Sequence, residues 1–127
     1  MRIYLLLLLL ITNTAFAQIW DYIITSNAGT LYYIEPVSIV KKDEVVTYTQ
    51  LLNYPNGYDV KNPEIHSVVH AKQIDCSRNI SRTLTMIAYG KENARGSIET
   101  LSVGRETKWE EINQNSILSL YKNEVCK

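Results

Sequence analysis

The sequence predicts an α+β domain, in which a single antiparallel β-sheet of about six strands packs against a C-terminal α-helix and one disulfide closes the fold. Between residues 20 and 89, short runs of β-branched and aromatic residues alternate with turn residues, which is typical of an antiparallel sheet. After residue 115, apolar side chains recur at helical spacing. The third observation is a pair of cysteines, Cys76 at the end of a predicted strand and Cys126 at the end of the predicted helix.

The N-terminus has the order of a secretory signal. Arg2 supplies a positive charge, an apolar run extends from Tyr4 to Ile11, and small residues stand at both ends of Ala15–Ala17. The apolar run is shorter than the stretch of about 20 residues that a membrane-spanning helix needs, and no later segment approaches that length. We therefore expect residues 1–17 to be a cleaved signal peptide and residues 18–127 to form one mature domain without a membrane-spanning segment.

Six strands are predicted in order along this domain. A turn at Ser26–Gly29 joins the first two strands. Pro36 is expected to end the second strand because it cannot donate to a ladder, and residues 36–39 are expected to make a turn or a single helical turn. The third strand is partly apolar on both faces, with Val46, Tyr48, Gln50, Leu52 and Tyr54 on one of them, so it should be central with a helix or loop covering one side. The predicted strands are residues 20–25, 30–34, 44–54, 66–75, 80–89 and 97–103.

The segments that follow the third strand complete the prediction. Residues 55–63 are the richest in Pro, Gly and Asn and form the main loop, while residues 90–96 and 104–108 form exposed turns. The strand over 80–89 alternates, with Ile80, Leu84 and Met86 expected on one face. The helix is predicted over 116–125, where the apolar positions are Ile117, Leu120, Tyr121 and Val125.

Cys76 and Cys126 are the two cysteines of the chain. An even number of cysteines in an exported chain favours a disulfide bond. A metal site is disfavoured because one pair of cysteines without a nearby Cys or His cannot complete a tetrahedral set of ligands. The bond would close a loop of about 50 residues, which stabilises a chain by about 4 kcal/mol in the simplest entropy model.

No set of residues matches a catalytic or cofactor-binding motif. His66 and His70 have the spacing of the zinc-protease motif, but Ser67 stands where that chemistry needs a glutamate. Val68 and Val69 favour a strand, so we interpret the two histidines as residues of a sheet surface. The sequence also lacks a Gly-x-Ser-x-Gly elbow and a glycine-rich phosphate loop. We expect no enzymatic activity, no cofactor and no metal.

Charge gives no indication of a nucleic-acid partner, because 13 basic and 13 acidic side chains leave a formal net charge of zero. Tyrosine is abundant, with nine residues. Tyrosines are enriched at protein-recognition surfaces, but they also fill the cores and cross-strand pairs of small β domains, and both interpretations stay open. The candidates for protein binding flank or lie within the Pro-Asn-Gly loop and are Tyr54, Tyr58 and Lys61.

Several short motifs stand in a definite order along the mature chain: Trp20, the segment Tyr32–Ile39, Asp75-Cys76, Arg82, the segment Trp109–Ile112, and Cys126 after the helix. Together they resemble the surface-adhesin protein E-like domain family of Gram-negative bacteria. The resemblance implies one antiparallel sheet packed on a C-terminal helix, with the two cysteines bridged. It also implies a binding function, since the family includes an adhesin for host matrix and serum proteins such as vitronectin and laminin.

We therefore expect a non-enzymatic, adhesin-like binding module outside the cytoplasm, with a host extracellular-matrix or serum protein as its partner. The alternative is a periplasmic structural or inhibitory partner of a cell-envelope protein. The expected location is the periplasm or the cell surface, associated with the outer membrane, or the medium after secretion.

Overall fold

The computed structural model describes residues 19–103 and 107–127 of the chain. The predicted signal peptide, residues 1–17, lies outside the described residues, and so do residues 104–106 of the turn predicted over 104–108. The described part contains seven strands and one helix: β1 Asp21–Thr25, β2 Leu31–Lys42, β3 Val45–Asn53, β4 Ser67–Asp75, β5 Ile80–Lys91, β6 Arg95–Val103, β7 Glu110–Glu111 and α1 Ile117–Val125.

Strands β1 to β6 form one antiparallel sheet in chain order, so each strand pairs with its neighbours in the sequence. The short strand β7 was not predicted and pairs with the start of β5, where Ile80 lies opposite Glu111. β3 is central, as predicted, and the face that carries Val46, Tyr48, Gln50 and Leu52 is buried at these four residues. We call this side of the sheet the covered face. The predicted fold class, a single antiparallel sheet with a C-terminal helix and one disulfide, is confirmed.

The prediction that Pro36 ends the second strand is wrong. β2 continues to Lys42, and its register with β3 shifts between Glu35 and Val40. Ser38 fixes this irregularity because its hydroxyl donates to the Glu35 carbonyl oxygen at 2.6 Å and accepts from the Thr49 backbone N–H at 2.8 Å. A bulge of this kind takes the proline out of the regular ladder, so its missing N–H does not stop the strand.

The loop predicted over residues 90–96 is also shorter in the structure. β5 extends to Lys91 and β6 starts at Arg95, so only three residues turn the chain. Asn93 and Ala94 both have left-handed backbone angles, which lets so short a turn reverse the direction. The Asn93 backbone N–H donates to the side chain of Asn53 at 2.8 Å and fixes the turn to the end of β3.

The alternation predicted for β5 fails because the register between β4 and β5 shifts at Ala71–Lys72. Residues that lie opposite each other in an antiparallel pair point to the same face. Met86 lies opposite His70 on the covered face, whereas Ile80 lies opposite Asp75 on the other face. In a regular strand Ile80 and Met86 would share one face. The bulge places them on opposite faces, with Met86 on the covered face.

Helix α1 packs on the covered face near the disulfide. Ser116 caps its first turn by accepting from the Ser119 N–H, and Cys126 follows it and is bonded to Cys76. Tyr121 is buried, stacks on Tyr48 with a centroid separation of 5.5 Å, and donates its hydroxyl to a β2 carbonyl oxygen at 2.9 Å. The core around the helix consists of Ile34, Val46, Tyr48, Ile74, Ile112, Tyr121 and Val125.

A second, smaller apolar cluster lies at the other end of the covered face. It contains Ile65, Val68 and Ala88, with Tyr54 and Met86 packed against it. The segment between β3 and β4, residues 54–66, supplies two of these side chains. We call this segment the β3–β4 loop. The covered face is thus shared between α1 at one end and this loop at the other.

Candidate functional site

The β3–β4 loop is held in shape by its own hydrogen bonds. Its ends pair through the Tyr54 N–H and the His66 carbonyl oxygen at 2.9 Å. In its middle, one side-chain oxygen of Asp59 accepts the backbone N–H groups of Lys61 and Asn62 at 2.9 and 2.6 Å, an arrangement that stabilises a tight turn. The loop is therefore an ordered structure on the sheet and not an open excursion.

One glycine is required for this shape. Gly57 has a φ of +86°, which an L side chain rarely adopts. A Cβ atom at this position would also lie 2.7 Å from the Pro63 carbonyl oxygen. Gly57 thus permits the close approach of the two halves of the loop, and Tyr58 follows it directly.

Beneath the loop lies a cavity of about 210 Å³. Its walls come from the loop, from β4 and β5, and from one residue of β6. We call it the tyrosine cavity. The lining residues are Tyr54, Tyr58, Asn62, Ile65, Val68, His70, Met86, Ala88 and Thr100.

Two tyrosines form the outer wall of the tyrosine cavity. The rings of Tyr54 and Tyr58 meet edge to face, with centroids 5.0 Å apart and an interplanar angle of 79°. Tyr58 is 49% exposed, whereas Tyr54 is half-buried. Burial, followed by the proximity of Tyr32 and Tyr58, raises the pKa of Tyr54 above its ordinary value, so its hydroxyl remains protonated.

A series of hydrogen-bonded polar side chains runs along the covered face to the cavity. The Tyr48 hydroxyl donates to Gln50 Oε1 across 3.5 Å, and Gln50 Nε2 lies 3.2 Å from His70 Nδ1. With the Gln50 amide oriented so that its nitrogen faces His70, we assign Nδ1 as the acceptor and the ring proton of neutral His70 to Nε2. Burial, with a smaller effect from Lys72, lowers the pKa of His70 to about 4, so the ring is neutral near pH 7.

Lys72 follows His70 on the covered face and closes the polar region toward α1. Its ammonium group donates to the Thr83 hydroxyl at 3.0 Å. Burial lowers the pKa of Lys72, and the nearby carboxylate of Glu110 partly opposes this effect. The polar residues therefore separate the apolar core around α1 from the tyrosine cavity.

The structure brings together two of the three residues proposed from the sequence. Tyr54 and Tyr58 face each other at the tyrosine cavity, while the side chain of Lys61 is exposed on the outside of the same loop and does not line it. Sequence reasoning missed His70, Met86 and the other strand residues of the lining. Val68, His70 and Ala88 reach the cavity through strand pairing, which a single sequence does not specify.

A larger and more open depression, of about 750 Å³, lies along α1 and the segment before it. Its lining is mainly side-chain amides and hydroxyls, without an aromatic residue. Large interface anchors are aromatic or aliphatic groups that enter apolar pockets. We therefore place the candidate site at the tyrosine cavity, which combines apolar walls with a few polar groups.

The surroundings of the cavity are suited to contact with another molecule. Val60 is 97% exposed and follows Tyr58 of the cavity wall by two residues on the same loop. β6 is the last strand of the sheet, and its side chains from Arg95 to Thr100 are exposed. Within the described residues, no strand covers the outer edge of β6.

The family model of surface-adhesin protein E matches residues 20–127. The chain belongs to the surface-adhesin protein E family. It is thus an adhesin-like protein of an exported, surface-associated family, and this class agrees with the expectation of a non-enzyme. A comparison with curated protein sequences returned no match.

Solved structures of Haemophilus influenzae protein E have the same fold as this family member. Crystal form II matches with a TM-score of 0.60 and 18% identity, over 87% of this chain and 93% of that chain. The selenomethionine form matches with a TM-score of 0.60 and 19% identity, over 87% of this chain and 92% of that chain. Protein E from a non-typeable strain matches with a TM-score of 0.54 and 18% identity, over 87% of this chain and 80% of that chain.

Among residues 19–103 and 107–127, no helix has the length and apolar character that would cross a membrane.

Proposed function

We propose that this chain is exported with loss of residues 1–17, and that the mature domain, residues 18–127, binds a host matrix or serum protein without catalysing a reaction. The binding surface is the tyrosine cavity together with the exposed part of the β3–β4 loop. The observation that carries this proposal is a preformed, largely apolar cavity with the exposed side chain of Tyr58 in its wall, on a loop that also exposes Val60.

The chemistry of this surface fits protein recognition. The energetically dominant residues of protein interfaces are aromatic anchors in or beside well-packed pockets, surrounded by a polar rim. Tyr58 supplies the aromatic group, and the exposed Asp59, Lys61 and Glu64 give the same loop mixed charge. Mixed charge of this kind favours selection of a partner by shape and local hydrogen bonds.

The ordered loop supports the same function energetically. Binding costs free energy for every side chain and loop that must become ordered, about 0.5–1.5 kcal/mol for each flexible side chain. The hydrogen bonds of Asp59 and the close approach at Gly57 already fix the loop in the free protein. A partner therefore meets a preformed surface and loses less affinity to ordering.

The test is capture of partners by the exported protein, purified from expressing cells with its disulfide intact. The protein is immobilised and exposed to host matrix extract, to serum and to the lysate of its own cell envelope, and retained proteins are identified by mass spectrometry. Tyr58→Ser removes the exposed wall of the cavity. Tyr22→Ser is the matched control, because Tyr22 is 56% exposed and lies on β1 at the opposite edge of the sheet.

We expect a matrix or serum protein to be retained, with at least tenfold weaker binding by Tyr58→Ser and unchanged binding by Tyr22→Ser, because loss of an interface anchor costs more than 1.4 kcal/mol. Equal affinity of Tyr58→Ser and the unmodified protein would contradict the site. Retention of envelope proteins alone would contradict the host partner and favour the periplasmic alternative.

A further inference from the structure

The size of the tyrosine cavity limits what it can hold. An apolar cavity of about 150 Å³ in a protein interior is sufficient to bind benzene. The tyrosine cavity, at about 210 Å³, has room for one six-membered ring with a small substituent. Pockets that enclose a whole drug-sized ligand measure about 300–1,000 Å³, so this cavity would enclose only one ring of a larger molecule.

The lining also restricts the charge of the ligand. Aliphatic and thioether groups of Ile65, Val68, Met86 and Ala88 form much of the wall. His70 is neutral at physiological pH, and no carboxylate, ammonium or guanidinium group belongs to the lining among the described residues. An ion would lose its hydration there without a counter-charge, so the ligand is uncharged.

His70 is the polar residue of the inner wall, on β4, whereas the hydroxyl and amide groups of the lining belong to Tyr54, Tyr58 and Asn62 of the loop and to Thr100 of the edge strand. The Gln50 amide fixes the His70 ring with its proton on Nε2, as described above. Within the part of the chain that the structure describes, Nδ1 of His70 bonds to Gln50, and Nε2 is not among buried polar atoms left without a partner, so an Nε2–H that lacks a protein acceptor is open to solvent or to a ligand. A ligand that displaces water from His70 therefore binds best when it offers an oxygen acceptor to this N–H group.

We propose that the tyrosine cavity binds an uncharged ring of the size of phenol, whose oxygen accepts a hydrogen bond from His70 Nε2. A tyrosine side chain of a protein partner and a free phenolic compound share this chemistry. The assignment of the ring to a partner protein rests on the proposed function, whereas the binding of such a ring by the cavity does not. The exposed edge strand β6 gives a protein segment access, because Thr100 belongs both to that edge and to the lining.

The chain offers a reporter inside the cavity. It has two methionines, Met1 in the predicted signal and Met86 in the lining. Methyl-¹³C labelling of methionine in the exported protein with its disulfide intact gives a resonance for Met86 that senses the ring current of a bound aromatic. The probes are p-cresol, which is the tyrosine side chain alone, and toluene, which has the same ring without the oxygen.

We expect p-cresol to shift the Met86 resonance in a saturable way. The ratio of its affinity to that of toluene should fall roughly tenfold in His70→Leu, because that variant removes the hydrogen bond but retains an apolar wall. Thr100→Phe at the exposed rim should weaken both probes by obstructing the cavity. Ile98→Phe is its control, since Ile98 is also exposed on β6 but pairs with Tyr89, which lies opposite Ser67 on the uncovered face.

The proposal is overturned if p-cresol leaves Met86 unchanged, or if the affinity ratio is the same in His70→Leu. Thr100→Phe keeps the test decisive should His70→Leu fail to fold, because unchanged binding of p-cresol by Thr100→Phe also overturns the pocket. A blocked tripeptide with a central tyrosine separates the sources. If the tripeptide binds, a protein tyrosine fits the pocket. If only p-cresol binds, the pocket is a site for a free phenol, and the cavity does not take part in the proposed protein recognition. Loss of partner capture by Tyr58→Ser remains a separate result in each case.

Discussion

Acidification should weaken the folded protein through His70, and the pH range follows from its surroundings. The ring is largely buried beneath the β3–β4 loop, beside Gln50 and Lys72, and burial lowers its pKa from 6.5 to about 4. In the unfolded chain the same ring takes up a proton near pH 6.5. The unfolded state therefore binds the proton first as the pH falls, and the stability that neutral His70 contributes is present above pH 6.5 and lost as the pH falls through about 4.

The size of the effect follows from the two pKa values. Each pKa unit corresponds to about 1.4 kcal/mol, so the complete loss is about 3 kcal/mol, of which about 2 kcal/mol falls between pH 7 and pH 4.5. A small domain has a total stability of about 5–15 kcal/mol. The loss is thus large enough to be measured by urea unfolding without complete denaturation of the protein.

The assay compares the exported, oxidised protein with His70→Gln at pH 7, 6, 5 and 4.5. Glutamine keeps polar hydrogen-bonding groups at this position but does not titrate. We expect the free energy of unfolding of the unmodified protein to fall by about 2 kcal/mol more than that of the variant over this range. Parallel pH dependence of the two proteins would refute the assignment of the effect to His70, whatever the absolute stability of the variant.

The remaining predictions concern the other end of the covered face and β2. Joint replacement of Cys76 and Cys126 by serine should lower the free energy of unfolding by about 4 kcal/mol, measured with urea, because the bond closes a loop of 50 residues; a loss below 1 kcal/mol would contradict this account. Tyr121→Phe should cost about 1 kcal/mol and Tyr48→Phe less, because their hydroxyl contacts measure 2.9 and 3.5 Å. The reverse order in thermal unfolding would show that the hydroxyl geometry is not the cause. Ser38→Ala should cost about 1–2 kcal/mol, and faster hydrogen exchange at the Thr49 amide checks the proposed contact.

Those elements that local chemistry determines could be predicted from the sequence. The ends of β3, β4 and α1 lie within one residue of the predicted bounds, because alternation, turn residues and a serine cap act over a few positions. The central position of β3 was also predictable, since this strand carries apolar groups on both faces, but the sequence did not indicate which face α1 and the loop would cover. The disulfide followed from the count of cysteines in a chain with a predicted secretory signal.

Features that depend on distant partners could not be predicted in the same way. Pro36 normally ends a strand, but the Ser38 hydroxyl reaches Thr49 on the next strand and holds the bulge. Similarly, the register shift opposite Ala71–Lys72 decides that Met86 points to the covered face. A one-residue change of register moves every following side chain to the opposite face. The lining of the tyrosine cavity therefore needs the three-dimensional structure, even though two of its tyrosines were chosen from the sequence.

The division of the covered face explains how so small a domain can maintain a cavity. A void removes packing contacts and costs stability, so the remaining core must supply the difference. Here the larger apolar cluster, the stacked pair Tyr48 and Tyr121, and the disulfide all lie at the α1 end. The hydrogen-bonded side chains of Tyr48, Gln50 and His70 connect that end with the cavity, and their contacts satisfy one another's polar groups. The stable end thus fixes the orientation of His70, the polar residue that β4 contributes to the lining of the tyrosine cavity.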